Sequence, residues 1–121
     1  MKFHLTQTSS NLFKAHGPGF VQVNEGRFEQ NVLVLADQIV PGWAPAGFAG
    51  LTDADFESLL SYRADIVVLG TGSRQQFPHP RLTAPLMKAG VGLEVMDTPA
   101  ACRTYNILLG EGRNVVAALF L

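Results

Sequence analysis

Two short stretches hold the residues whose types and spacing could do chemistry. The first, Gly70-Thr71-Gly72-Ser73-Arg74, follows directly on the apolar run from Ile66 to Leu69. Glycines placed after a strand let a backbone close on a phosphate, or simply turn a corner. The second, Asp97-Thr98-Pro99-Ala100, leads into Cys102 and Arg103. A helix starting there offers free N–H groups and partial positive charge to an anion. Cys102 beside Arg103 in the opening turns is where a thiol pKa is lowered, giving a nucleophile or a redox sensor. It reads equally well as a small buried residue, because free cysteine is among the most buried types. Arg103 either pairs with Asp97 or Glu111, or holds an anionic group with Arg74 converging from the other loop.

Several stronger signatures are absent. A dinucleotide fingerprint needs G-x-G-x-x-G, but Gln75 stands at the third glycine position and Phe77-Pro78-His79-Pro80 delays the next helix. No Gly-Lys-Ser/Thr follows the glycines, so a P-loop is excluded. His4, His16 and His79 are scattered and Cys102 is the single cysteine, so neither a metal nor another cofactor is expected. No Ser-His-Asp set has a local signature. The catalytic residues are therefore unknown, and whether the chain is an enzyme stays open.

These residues need a scaffold, and composition bounds it. A length of 121 residues suits one domain, spanning 1–121. With 47% hydrophobic and 16% charged residues, the chain should fold around a large core. A net charge of −1 without a basic cluster argues against nucleic-acid binding. The start, "MKFHLTQTSS", lacks the apolar core of a signal peptide, and no run approaches the roughly 18 apolar residues of a membrane span. A cytoplasmic location is the expectation.

Periodicity predicts the elements. "GFVQVNEGRFEQNVLVLAD" alternates on both sides of Glu25-Gly26, as a hairpin does, with Gln38 to Val40 as a short following strand. Trp43 and Phe48 fall in a Pro/Gly-rich loop that either tucks over the core or presents an apolar surface to a partner. Thr52 and Asp55 form a capping-box signature ahead of the stripe Phe56, Leu59 and Leu60. Ile66 to Leu69 is a buried strand. "HPRLTAPLMKAG" predicts a second helix with an awkward Pro85, and "GLEVMD" a further strand. Thr98 as N-cap with Pro99 first in line opens a third helix, and "NVVAALFL" closes the chain as a strand. Strands alternating with helices imply an α/β fold with a mostly parallel sheet, preceded by a β-hairpin. Ligands collect beyond the carboxyl ends of such strands, so the 70–74 loop and the 97–103 helix start should frame one crevice.

The segments "VVLGTGSRQQFPHP" and "GLEVMDTPAACRTYNILLGEGRNVVAAL" together resemble the Mth-type domain family of small α/β proteins, over roughly residues 15–120. That family includes the mitochondrial NADH:ubiquinone oxidoreductase (complex I) assembly factor 3. The resemblance implies a three-layer fold with a central mixed sheet, helices and an additional N-terminal β-hairpin. Gly70, Thr71, Gly72, Asp97, Thr98, Cys102, Arg103, Thr104, Asn106, Glu111 and Arg113 match its pattern. It also implies a non-catalytic binding or assembly-factor-like module with a protein partner. The rival expectation is a pocket for a small anion or nucleotide, or an unrecognised enzyme, at Gly70–Arg74 and Asp97–Arg103. A redox role for Cys102 is a third, and the hairpin offers a surface on which copies of the chain could pair.

Overall fold

The computed structural model describes residues 10–121; the reading of the N-terminal segment and of His4 lies outside these. The chain first forms β1 (Phe13–Gly17), β2 (Phe20–Val23) and β3 (Gly26–Phe28), an antiparallel sheet in the order β1-β2-β3. It then enters a second sheet through β4 (Val32–Val34) and β5 (Ile39–Pro41). After α1 (Asp53–Glu57) and a 3₁₀ turn come β6 (Ile66–Thr71), α2 (Pro80–Lys88), β7 (Gly92–Met96), α3 (Thr98–Gly110) and β8 (Val115–Phe120). The strand order of this larger sheet is β5-β4-β8-β6-β7. β6 is parallel to both β8 and β7, while β4 is antiparallel to β8 and β5.

Alternation along the strands builds two cores, one on each face. Val67, Leu69, Val116, Ala118 and Phe120 point toward α1, α2 and the Trp43 loop. Ile66, Val68, Val115, Ala117 and Leu119 point toward α3 and the small sheet. Every residue of β6 and β8 is buried, as strands covered on both faces require. The result is the expected mixed α/β architecture: helices on one side, the five-stranded sheet, then α3 with the small antiparallel sheet.

Three local details differ from the sequence reading. The expected hairpin gains a strand, β1, which a Pro18-Gly19 turn joins to β2; Gly19 supplies the positive φ of 78° that this turn needs. The run from Gly26 to Val34 is two strands, broken at residues 29–31 where the chain changes sheets. The cap of α3 is Asp97, whose carboxylate accepts from the Ala100 N–H at 2.8 Å, and Thr98 is already helical. The Thr52–Asp55 capping box forms as predicted. No helix among the described residues is long and apolar enough to cross a membrane.

Candidate functional site

β6 and β7 lie side by side in parallel, with Gly70 opposite Met96, so the two loops do emerge at one rim. They are tied to each other. The Thr98 N–H donates to the Gly72 carbonyl at 2.8 Å, and the Gly72 N–H donates to Thr98 Oγ1 at 2.8 Å. Thr98 Oγ1 in turn donates to the Phe120 carbonyl at 2.6 Å, so one buried hydroxyl joins the ends of β6, β8 and α3. This use of the side chain is why the capping role falls to Asp97.

The neighbouring residues hold the same turn. Thr71 Oγ1 donates toward the Arg74 and Met96 carbonyls, at 2.7 and 3.1 Å, and accepts from the Gln76 N–H at 3.1 Å. Gln75 reaches the Val95 carbonyl at 2.8 Å. Gly70 sits under α3, where a Cβ would lie 2.7 Å from Leu119 Cδ2, 2.9 Å from Thr98 Oγ1 and 3.0 Å from Ala101 Cβ. Gly72 has φ of 96°, the left-handed region that favours glycine, with open space beside it.

Space opens on the other flank of α3's first turn. A cavity of about 440 Å³ lies between that turn and the β1–β2 turn. Gly72, Ser73, Thr98 and Pro99 form one wall, and Pro18, Phe120 and Leu121 contribute to the rest. A second cavity, about 220 Å³, continues along α3 and is lined by Lys14, His16, Cys102, Arg103 and Asn106, among others. His16 belongs to both. Arg74 and Asp97 line neither, so the structure does not bring Arg74 to Arg103 in a shared pocket. Nor does Arg103 pair with Asp97 or Glu111: among the described residues the ion pair present is Arg27–Glu29, at 2.8 Å.

Lys14 and Pro18 carry no functional signal in the sequence and His16 reads there only as one of three scattered histidines, although Gly-Pro-Gly at 17–19 is a turn signal. What aligns β1 with α3 is the Asn106 side chain. Its amide accepts from the Phe13 N–H at 3.0 Å and donates to the Phe13 carbonyl at 2.9 Å, filling the place of a neighbouring strand.

Cys102 is 1% exposed. Burial pushes its pKa from about 9 up to about 12, against the smaller lowering effect of Arg103. The thiol is therefore protonated at neutral pH, opposite to what a nucleophile needs. Between pH 9 and 12 the folded chain keeps a proton that the unfolded chain releases, so this group removes stability as pH rises past about 9. Iodoacetamide labelling of the native protein should stay negligible from pH 7 to 9 and become complete in denaturant. Rapid native labelling that rises through this range would restore the redox reading. No cluster of metal-ligating side chains occurs among the described residues.

Trp43 is not a surface residue. It is 7% exposed, packs against Phe56 and Phe120 with ring centroids 6.3 and 5.2 Å apart, and its indole N–H reaches the Asp55 carbonyl. Phe48 lies 5.7 Å from the Phe120 ring. Among the described residues the exposed large apolar side chains are instead Phe77, Met87 and Ile107.

The chain belongs to the family described as "Protein of unknown function (DUF498/DUF598)", whose model matches residues 13–120. It is 39% identical over 88 residues to the mouse protein named NADH dehydrogenase [ubiquinone] 1 alpha subcomplex assembly factor 3, covering 71% of this chain and 48% of that one. The chain thus spans about half the length of the curated relative it matches. A crystal structure from Bordetella parapertussis superposes with TM-score 0.86 at 37% identity, over 93% of this chain and 96% of the other. A solution structure from Bordetella pertussis, described as a Mth938-like domain, gives TM-score 0.75 at 32% identity, over 93% and 87%.

Proposed function

We propose that this member of the DUF498/DUF598 family is a protein-binding module that assists assembly of a multi-subunit complex and carries out no reaction itself. The observation that carries the reading is the similarity of most of this domain to a protein named as an assembly factor for NADH dehydrogenase. Two structural features support it. The Gly-Thr-Gly loop spends its polar groups on holding the fold, and Cys102 is protonated and buried. Phe77 and Met87, 71% and 73% exposed, supply the apolar contact area that the buried Trp43 does not. Assistance from the cytoplasmic side is the location this reading implies.

The test is genetic and biochemical. Removing the gene from its host should replace intact NADH:ubiquinone oxidoreductase by subassemblies on native gels, and the wild-type chain should restore it. The double variant Phe77→Ser/Met87→Ser changes exposed positions, so its stability should stay within about 1 kcal/mol of wild type, yet it should fail to restore assembly. Intact complex in the deletion strain would overturn the reading.

A further inference from the structure

We propose that the groove between the β1–β2 hairpin and the N-terminal half of α3 binds a small amphipathic anion, a carboxylate carrying an apolar chain. This goes beyond the assembly reading and stands independently of it. The larger cavity has the size of an ordinary small-molecule site, about 440 Å³ against roughly 300–1,000 Å³. Its walls include Pro18, Pro99 and Leu121, which suit an apolar body. Against α3 the adjoining cavity is flanked by Lys14, His16 and Arg103, and no Asp or Glu side chain lines either space. In a chain of net charge −1, a lysine, an arginine and a histidine line this one space from two separate elements.

The geometry fits one molecule spanning both parts. Pro99 borders the apolar cavity and Arg103 the cationic one; they stand four positions apart on the helix, a rise of about 6 Å. On the opposite wall β1 runs alongside, with Gly17 at the apolar end, Lys14 at the cationic end and His16 shared. The Asn106–Phe13 amide pair closes the far end and fixes the spacing of the two walls. An apolar chain would leave water in the larger space while its carboxylate met Arg103 and Lys14, a charge-assisted contact.

Decanoate is the probe, titrated against the ¹⁵N-labelled full chain below its micelle concentration. Saturable shifts should be confined to residues 13–19, 72–73, 98–106 and 120–121. 1-Decanol, which keeps the chain and loses the charge, should bind at least about tenfold more weakly. The variant Lys14→Glu/Arg103→Glu should lose affinity to the same degree, and Ser73→Phe, an exposed change that fills the apolar cavity, should abolish binding. Melting temperatures near wild type establish that both variants are folded. Absence of saturable decanoate shifts, equal affinity for decanol, or unchanged binding by either variant would overturn the proposal. So would charge-dependent binding to 3:1 phosphatidylcholine:phosphatidylglycerol vesicles without any response to decanoate, which would assign the cations to a lipid surface. None of these results bears on the assembly phenotype.

Discussion

Replacing Tyr105 by alanine should destabilise the protein by about 3–5 kcal/mol, lowering the thermal midpoint by roughly 4 °C per kcal/mol for a chain of this length. Tyr105 is fully buried and is the largest such side chain in the molecule's described part. Its ring meets Phe13 edge-on, with centroids 5.1 Å apart, and its hydroxyl donates to the Asn11 carbonyl at 3.0 Å. It is thus the main apolar plug between α3 and the small sheet, and it also satisfies a backbone acceptor just ahead of β1. Tyr105→Phe separates the two roles. It keeps the ring and drops one hydrogen bond, so the loss should be about 0.5–1.5 kcal/mol. Urea titrations of both variants check the magnitudes. If alanine lowered stability by less than the phenylalanine range, the small sheet would not depend on this contact. Because the same plug seats β1 against α3, the alanine variant should also disturb the groove.

The contrast between Tyr105 and Lys14 shows what could be read in advance. Tyr105 and Ala101 stand four positions apart on α3, the spacing by which an amphipathic helix marks its buried face. β6 and β8 were equally plain, since unbroken apolar runs between turn signals leave little choice. The Thr52–Asp55 capping box is local chemistry, complete within four residues. β1 has none of these signals. Phe13 is buried but Lys14, Ala15 and His16 are exposed, and a register shift after Phe13 breaks the alternation that marks a strand. It pairs through β2 on one edge and through the side chain of Asn106, 93 residues away, on the other. Long-range pairing of that kind has no trace in local pattern. The groove followed the same rule: both loops at its rim were identified, but its second wall is the strand that was not.

The open choice at Trp43 and the misplaced cap at Thr98 have a related cause. A loop tryptophan can face water or core, and only the placement of Phe56 and Phe120 decides. Threonine before proline is a good N-cap, but aspartate one residue earlier caps as well. The choice is made by Phe120, whose carbonyl claims the Thr98 hydroxyl from the far end of the chain.

Gly70→Ala should be destabilising by about 1–3 kcal/mol, and Gly70→Val by more, although both side chains suit a strand. In an open loop alanine would gain about 0.4–1 kcal/mol by restricting the unfolded chain. Here the added methyl meets three neighbours at 2.7–3.0 Å, and none can yield cheaply. Leu119 is fully buried, Ala101 is fixed by the helix backbone, and Thr98 Oγ1 is pinned between Gly72 and Phe120. Displacing Thr98 would break the bond that joins three elements at the rim. Gly72→Ala makes the informative comparison, because no atom lies within 4 Å of its Cβ and only the φ of 96° opposes the change. Its loss should come from backbone strain, leave the core packing intact, and be the smaller of the two. Thermal melts and methyl NMR of the Leu119 and Ala101 signals would tell the cases apart: large shifts for Gly70→Ala, near-native spectra for Gly72→Ala. Should Gly70→Ala instead fold with unchanged stability, close packing would not be the reason for glycine there. A requirement for backbone to approach a ligand would then become the better account of Gly70-Thr71-Gly72.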